Sequence, residues 1–474
     1  MADLTPDEFR RRAYAVVDWI ADYRAGLPDL PVAPDVEPGS VRAAMSALWT
    51  STGLPEEPEA LAALLDGIDR VVVPGSTHWQ HPGFFGYFPA NASLHSLLGE
   101  LLSGGLGAQG MLWATSPAAT EVEQTLLDAL AGALGLHRDF TFEGGGGGSI
   151  QDSASSAALV ALLAALHRAN PAWRADGVDG RDRVYVTAET HSSLAKAARV
   201  AGLGARALRT VAFRPGTRSM DPAALSAMIA ADRAAGLRPA LVCPTIGTTG
   251  TGAVDPVREV VAVASGAWVH VDAAWAGVAA LCPEHRHLLD GVEGADSFCT
   301  DAHKWLATAF DASLLWVRDG RALPDALSIT PEYLRNTASE SGAVVDYRDW
   351  QVPLGRRFRA LKLWSVLSGY GLSGLRAHLR GHIALADELA HWVEEEPGFI
   401  LVVPPSLGLV CLRLESDERT TGAMAQVNAS GRALLTHTVV DGRTVIRVAI
   451  GGVTTGREHV VALWEELRKA ASAL

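Results

Sequence analysis

The chain predicts an α/β protein whose larger part is built on a mainly parallel sheet. From about residue 184 onward, short apolar runs alternate with Ala/Leu-rich helical stretches, and most of the runs are too evenly apolar to have a wet face. The chain is also long and apolar enough, at 474 residues and 48% hydrophobic content, to bury one large core with smaller flanking pieces.

In chain order, Thr5-Pro6-Asp7-Glu8 is a capping box with proline at the first helical position. Phe9, Ala13, Val16, Val17 and Ile20 follow at helical spacing until Gly26 and Pro28 stop the helix. An amphipathic terminal helix followed by the Pro-rich stretch 28–38 more often packs on a partner or a body than stands alone, so residues 1–85 read as an arm. Ser116-Pro117 opens a second helix running to about Leu136. In a large unit over 86–360, strands are expected at 184–188, 240–244, 268–272, 297–301 and 313–317. A long helix to about Glu394, strand-like runs at 407–414 and 444–450 and a last helix from Arg457 make a small α+β unit over 361–474.

A formal net charge of −13 disfavours nucleic acid or an anionic membrane as partner and favours a small-molecule substrate. Cys243, Cys282, Cys299 and Cys411 are widely spaced and form no paired framework. The start lacks a basic, apolar leader and no apolar run reaches the roughly 20 residues of a membrane span. The compartment expected from these features is the cytoplasm.

Chemistry enters through Asp301-Ala302-His303-Lys304 and Asp272. Lysine condenses with aldehydes, and an aspartate ending an apolar strand can keep a pyridine nitrogen protonated; the pair suits pyridoxal 5′-phosphate (PLP). Taken singly, Lys304 reads as a snorkelling lysine and Asp272 as a turn cap. The glycine run 144–148 leads into Ser153-Ala154-Ser155 and a helix expected over 157–166, where N–H groups, hydroxyls and the helix dipole would hold a phosphate. His191, just past the strand at 184–188, falls at the carboxyl edge of the sheet, where its ring could stack on a pyridine and pass a proton. Thr249 offers a polar contact from the same edge. The loop 247–252 lacks G-x-G-x-x-G spacing, and the Cys282, His285 and His287 cluster lacks a second ligand pair, so no metal is expected.

These residues sit among longer blocks: His-Pro-Gly-Phe-Phe-Gly-Tyr-Phe-Pro at 81–89, Trp-Ala-Thr-Ser-Pro at 113–117, Ser-Ile-Gln-Asp-Ser-Ala-Ser at 149–155, His-Val-Asp-Ala-Ala at 270–274, Cys-Pro-Glu-His-Arg-His-Leu-Leu at 282–289, His303-Lys304-Trp305, and the run 346–358 ending Gly-Arg-Arg-Phe. Together they resemble the group II PLP-dependent decarboxylases, and among them the aromatic L-amino-acid decarboxylases. The resemblance covers nearly the whole chain. It implies a PLP-dependent transferase of fold type I with a seven-stranded type of sheet, and an obligate homodimer whose arm clasps its neighbour and whose active sites lie at the subunit interface.

The same resemblance implies that Lys304 carries the cofactor, Asp272 faces its ring nitrogen, His191 stacks on the ring, and Ser153, Ala154 and Ser155 hold the phosphate. Thr249, Ala274, Asp301 and His303 complete the cofactor set. Tyr333 matches the mobile-loop tyrosine that protonates the substrate carbon; relatives with phenylalanine there tend toward oxidative aldehyde formation, so tyrosine implies simple decarboxylation. The side-chain pocket would draw on Trp79, Phe88, Pro89 and Ala90, with Gln109 and Met111 from the other subunit and Gly355 nearby.

Three departures stand out: Asp301-Ala302 where many relatives have Asn-Pro, Asp152 in place of a glycine, and Ala90 where animal relatives carry threonine. Ala90 and Gly355 widen the pocket and remove a hydroxyl, which favours L-tryptophan, giving tryptamine, over phenylalanine, tyrosine or dihydroxyphenylalanine. The alternatives are an aldehyde synthase, an aromatic aminotransferase with Arg447 as its carboxylate clamp, and a non-catalytic cofactor-binding protein.

Overall fold

A computed structural model describes residues 3–48 and 60–474, so the stretch 49–59 of the expected arm lies outside the described residues, as do Met1 and Ala2. The central sheet has seven strands: β1 (Gly147–Gln151), β2 (Asp182–Val186), β3 (Leu208–Thr210), β4 (Arg238–Val242), β5 (Trp268–Asp272), β6 (Ser297–Asp301) and β7 (Ser313–Val317). Their order is β1-β7-β6-β5-β4-β2-β3. Pairing is parallel from β3 through β6, and β7 runs antiparallel to both β6 and β1. Every residue of β5, β6 and β7 is buried, which is why these strands show no wet face in the sequence, and their expected bounds are met.

Two expected strands begin earlier than their apolar residues suggest. β2 and β4 open on Asp182 and Arg238, whose side chains pair at 2.9 Å, so the sheet extends over a charged rung that an apolar pattern leaves out. β1 was not expected at all. Its glycines carry no β-propensity, and the run serves close packing at the sheet edge: a Cβ on Gly146 would stand 2.0 Å from the Asp139 carbonyl oxygen and 2.4 Å from that of Val317. The glycine run therefore builds an edge strand rather than a phosphate loop.

Helix α1 (Pro6–Gly26) has the expected capping box, with Glu8 N–H donating to Thr5 and the Glu8 carboxylate accepting from the Thr5 N–H at 2.9 Å. None of its side chains is buried. Helices α2 (Leu94–Leu106) and α3 (Pro117–Leu134) precede the sheet; α4 (Ala154–Ala169), three residues longer than expected at each end, is capped by Ser153 and crosses one face of β4 to β7. Helix α5 (Ser192–Val200) follows β2, and the single turn α6 (Ala302–Trp305) follows β6. Helix α7 (Ala360–Glu395) breaks at Gly371, whose φ of 60° and ψ of 172° are not helical.

The second sheet, β8 (Phe399–Leu401), β9 (Leu409–Leu414), β10 (Thr436–Val440) and β11 (Arg443–Ala449), has the order β10-β11-β9-β8 and is antiparallel. Helix α8 (Arg457–Ser472) closes the chain and begins at the expected residue. The arm docks on this unit through Val32 N–H to the Gly431 carbonyl at 2.8 Å. Phe85 donates to Leu434 and accepts from Ala449, each at 3.0 Å, so residues around 85 join the small sheet at the point where the large unit was expected to begin.

Two buried histidines make the fold sensitive to acid. Burial lowers His270, in β5, from 6.5 to about 4, and burial followed by repulsion from His378 lowers His382, in α7, to about 3. Both pKa values are depressed on folding, so this stability is present above pH 6.5 and is lost as pH falls. Each contributes a slope of about 1.4 kcal/mol per pH unit between the unfolded and folded values. Urea unfolding from pH 7 to 4.5 should show the fall, and His382→Gln should remove one share of the slope.

Candidate active site

Register brings the chemistry together. In the parallel pair β5 and β6, Asp272 lies opposite Cys299, so Asp272 and Asp301 end neighbouring strands on the carboxyl edge of the sheet, the edge at which open α/β folds bind ligands. Asp301 then starts the turn α6 from an extended conformation, which sets Lys304 one helical turn further on. The Lys304 Nζ stands 2.9 Å from Asp301 Oδ2, and His303 Nε2 is 3.4 Å from the same oxygen.

A cavity of about 240 Å³ opens here. Lys304, Asp272 and Asp301 line it from the strand ends, Ser153, Ala154 and Ser155 from the start of α4, and His191 and Thr249 from the loops after β2 and β4. Ala274, His303, Phe88 and Trp275 complete the enclosure that matters for function. Every residue expected to hold the cofactor thus lies on one cavity.

The local electrostatics are strong because little water enters. Burial pushes the Asp301 carboxyl up, but the charge of Lys304 and its hydrogen bond to the carboxylate outweigh it and leave it below its ordinary value. Burial likewise pulls Lys304 down, and Asp301 more than reverses this, so the amine is held protonated above its ordinary range. Asp301 Oδ1 is shielded from solvent and, among the described residues, makes no well-formed hydrogen bond, although the Ser313 hydroxyl lies near the carboxylate. Asp272 Oδ1 accepts the Ala274 N–H at 3.0 Å, and behind it Cys299 Sγ lies 3.9 Å away and 3.7 Å from His270 Nε2. Burial, then the charges of Asp272 and Asp301, push the Cys299 thiol far up, so it stays neutral.

Asp152 sits at the phosphate end as a departure with a visible consequence. Its Oδ1 accepts from the Ser153 hydroxyl at 2.8 Å and from the Ser156 hydroxyl at 2.5 Å. His191 caps α5, its Nδ1 accepting the Ser193 N–H at 3.2 Å.

Other expected residues lie elsewhere. Tyr333 is 76% exposed on the turn Glu332–Leu334, outside the cavity. Trp79 stacks on Tyr87 and meets Phe84 at a tilt of 31°. Pro89 packs against Gly451, and the Ala90 carbonyl accepts from Gln80 Nε2 at 2.5 Å. Gln109, Met111 and Gly355 cluster together away from the cavity, with Gln109 Oε1 accepting the Arg356 N–H at 2.7 Å and a Cβ on Gly355 reaching Gln109 Nε2 at 3.3 Å. Arg447 lines an adjoining cleft, its guanidinium over the Phe88 ring at 5.1 Å and its Nη1 donating to the Gly86 carbonyl at 3.1 Å.

Sequence reasoning missed the supports of Lys304. Asn91 is fully buried and donates to the Lys304 carbonyl at 2.5 Å and the Gly451 carbonyl at 2.8 Å, while its own N–H reaches the His303 carbonyl at 2.8 Å. Trp305 stacks on Trp275 at 5.2 Å and donates its Nε1–H to His382 Nδ1 at 3.0 Å. The only signal for Asn91 was its place just after the 81–89 block.

A lysine facing the strand-end Asp272 and a helix N-terminus across one cavity, at the carboxyl edge of a mainly parallel sheet, suits a PLP-dependent enzyme of fold type I. The chain belongs to the pyridoxal-dependent decarboxylase family: the family described as the pyridoxal-dependent decarboxylase conserved domain matches residues 44–415. It is 43% identical to a phenylacetaldehyde synthase of Arabidopsis thaliana, over 99% of this chain and 96% of that one. It is 42% identical to tyrosine decarboxylase 1 of Narcissus pseudonarcissus, over 99% and 94% respectively. Its fold matches the crystal structure of Oryza sativa TDC with PLP and tryptamine at a TM-score of 0.96 and 40% identity, covering 100% of this chain and 99% of that one. PLP is the cofactor, and the enzyme is a PLP-dependent decarboxylase of the aromatic amino-acid group.

Trp305→Phe keeps the ring stack but leaves His382 Nδ1 buried without a donor, so it should cost about 1–3 kcal/mol in urea unfolding. An unchanged midpoint would show that this bond does not hold the Lys304 turn.

Proposed function

We propose that this protein removes CO2 from an aromatic L-amino acid and releases the amine, with L-tryptophan and tryptamine as its first pair. The observation that supports an aromatic substrate is the wall formed by Phe88 on Trp275, with ring centroids 4.0 Å apart at 9°, on the cavity that contains Lys304. A flat apolar wall favours a flat ring. L-Tryptophan is ranked first because the family resemblance assigns to the side-chain pocket Ala90 and Gly355, neither of which lines the cavity of its own chain; there they would add width without a hydroxyl, and phenylalanine, tyrosine and dihydroxyphenylalanine rank behind it.

In this reading Lys304 holds the cofactor covalently through Nζ. Asp272 keeps a proton on the ring nitrogen, Ser153, Ala154 and Ser155 take the phosphate at the start of α4, and His191 and Thr249 hold the ring from the side of β2 and β4. Ala274, Asp301 and His303 complete the lining. When bound, PLP supplies a conjugated pyridinium that accepts the electron pair left by departing CO2. Tyr333 returns a proton to the substrate Cα, for which its exposed loop must swing inward.

A homodimer completes the proposal. Helix α1 buries no side chain of its own, and α2 presents Leu94, Leu98, Leu101, Leu102 and Leu106 exposed on one helical stripe, faces that suit a second copy of this chain. Gln109 and Met111 of one copy would then serve the cavity of the other. Four buried, unpaired cysteines support a reducing compartment, the cytoplasm.

Mass spectrometry of products from a panel of aromatic amino acids with PLP supplied tests the reaction. Tryptamine and CO2 without a keto-acid acceptor are expected; indolepyruvate or an arylacetaldehyde as the main product would replace this reading with an aminotransferase or an aldehyde synthase. Tyr333→Phe should lower amine formation by roughly 10²- to 10⁴-fold and shift flux to aldehyde. Lys304→Ala should lose the visible absorbance of the bound cofactor, and a retained band would remove Lys304 from its role.

A further inference from the structure

We propose that Asp301 is a positioning residue for Lys304, one that keeps its nitrogen protonated in the cofactor-free enzyme and so makes cofactor loading slow at neutral pH and faster as pH rises. The inference rests on Lys304 being the cofactor lysine, as proposed above. Its basis is geometric. Asp301 ends β6 and Lys304 lies three residues on along α6, which brings Nζ to 2.9 Å from Oδ2. The carboxylate side chain is 2% exposed and the lysine side chain 26%, so the carboxylate end of the pair is shielded from solvent and salt more than in a surface pair.

The groups that face Lys304 all favour its charge or leave it unopposed. Asp301 and Cys299 come from β6 and Asp272 from β5. Cys299 is held neutral by burial and by the neighbouring carboxylates. His303, from the same turn, shares Asp301 Oδ2 at 3.4 Å, and burial, the largest influence on it, keeps its ring neutral. His191 lines the cavity from α5. Among the described residues no arginine lines this cavity, so Asp301 is the close partner that decides the state of the amine.

The consequence follows from the chemistry of loading. An ammonium has no lone pair, so its proton must first pass to solvent. The neutral Lys304 nitrogen then adds to the aldehyde carbon, a C=N bond replaces C=O, and the oxygen leaves as water. Holding the proton on Nζ therefore reduces the fraction of enzyme able to react at any pH below that of the amine, by tenfold for each pH unit.

Competitive labelling of cofactor-free enzyme with trace acetic anhydride across pH, read on the Lys304 peptide by mass spectrometry, tests this without turnover. Wild-type Lys304 should label with a midpoint above the ordinary lysine value of about 10.4. Asp301→Asn should lower the midpoint by about 1–3 pH units and speed the rise of cofactor absorbance at pH 7.5 by roughly 10- to 10³-fold, while Asp301→Glu should restore the high midpoint. A wild-type midpoint below 9, or an unchanged midpoint in Asp301→Asn, overturns the proposal; the wild-type value decides it even where a variant does not fold. Failure of the cofactor-lysine reading is separate: Lys304 would then label equally with and without bound PLP.

Discussion

The site depends on burying one amine between carboxylates that the sheet itself places. Parallel register sets Asp272 opposite Cys299, so two neighbouring strands end in Asp272 and, two residues beyond that level, Asp301. A single helical turn then returns Lys304 to Asp301. An ammonium in so enclosed a place is tolerable only because its charge is matched within hydrogen-bonding distance; removing the partner leaves the full desolvation cost. The same enclosure makes small changes in neighbouring charge large changes in reactivity.

Everything around that turn limits its freedom. Asn91 ties its carbonyl to Gly451 of the small unit. The ladder Phe88, Trp275, Trp305, with His382 accepting from Trp305, fixes its far side. Because Phe85 joins the small sheet and Asn91 grips the lysine turn, the segment between them couples the two units at the cavity. The 81–89 block forms no strand of its own beyond this edge contact; its residues are fixed by what they hold together.

Much of this was legible in the sequence, and the reasons differ by element. Strands β5 to β7 were read at their true bounds and helix α8 at its true start, because the buried strands lack a wet face and because amphipathic helices keep their period. β1 was hidden because it opens on Gly147 and Gly148, which are specified by what crowds them, Phe142, Leu127 and Trp316, and not by side chains of their own. β2 and β4 began early on an Asp182–Arg238 rung visible only once the strands are side by side. The cofactor-lining residues were found through the blocks that carry the family resemblance, whereas Asn91 and His382 act through contacts 213 and 77 residues away in sequence, a distance that no local pattern spans. Tyr333, Gln109 and Met111 stand apart from the cavity of their own chain, which fits sites that need a loop movement and a second copy.

The account stands on a covalent bond from PLP to Lys304. Borohydride reduction of the loaded enzyme, followed by proteolysis and peptide mapping, measures it directly. A pyridoxyl group on the peptide containing Lys304, and on no other lysine, is the predicted result. The same group on a different lysine, with Lys304 unmodified, would contradict it.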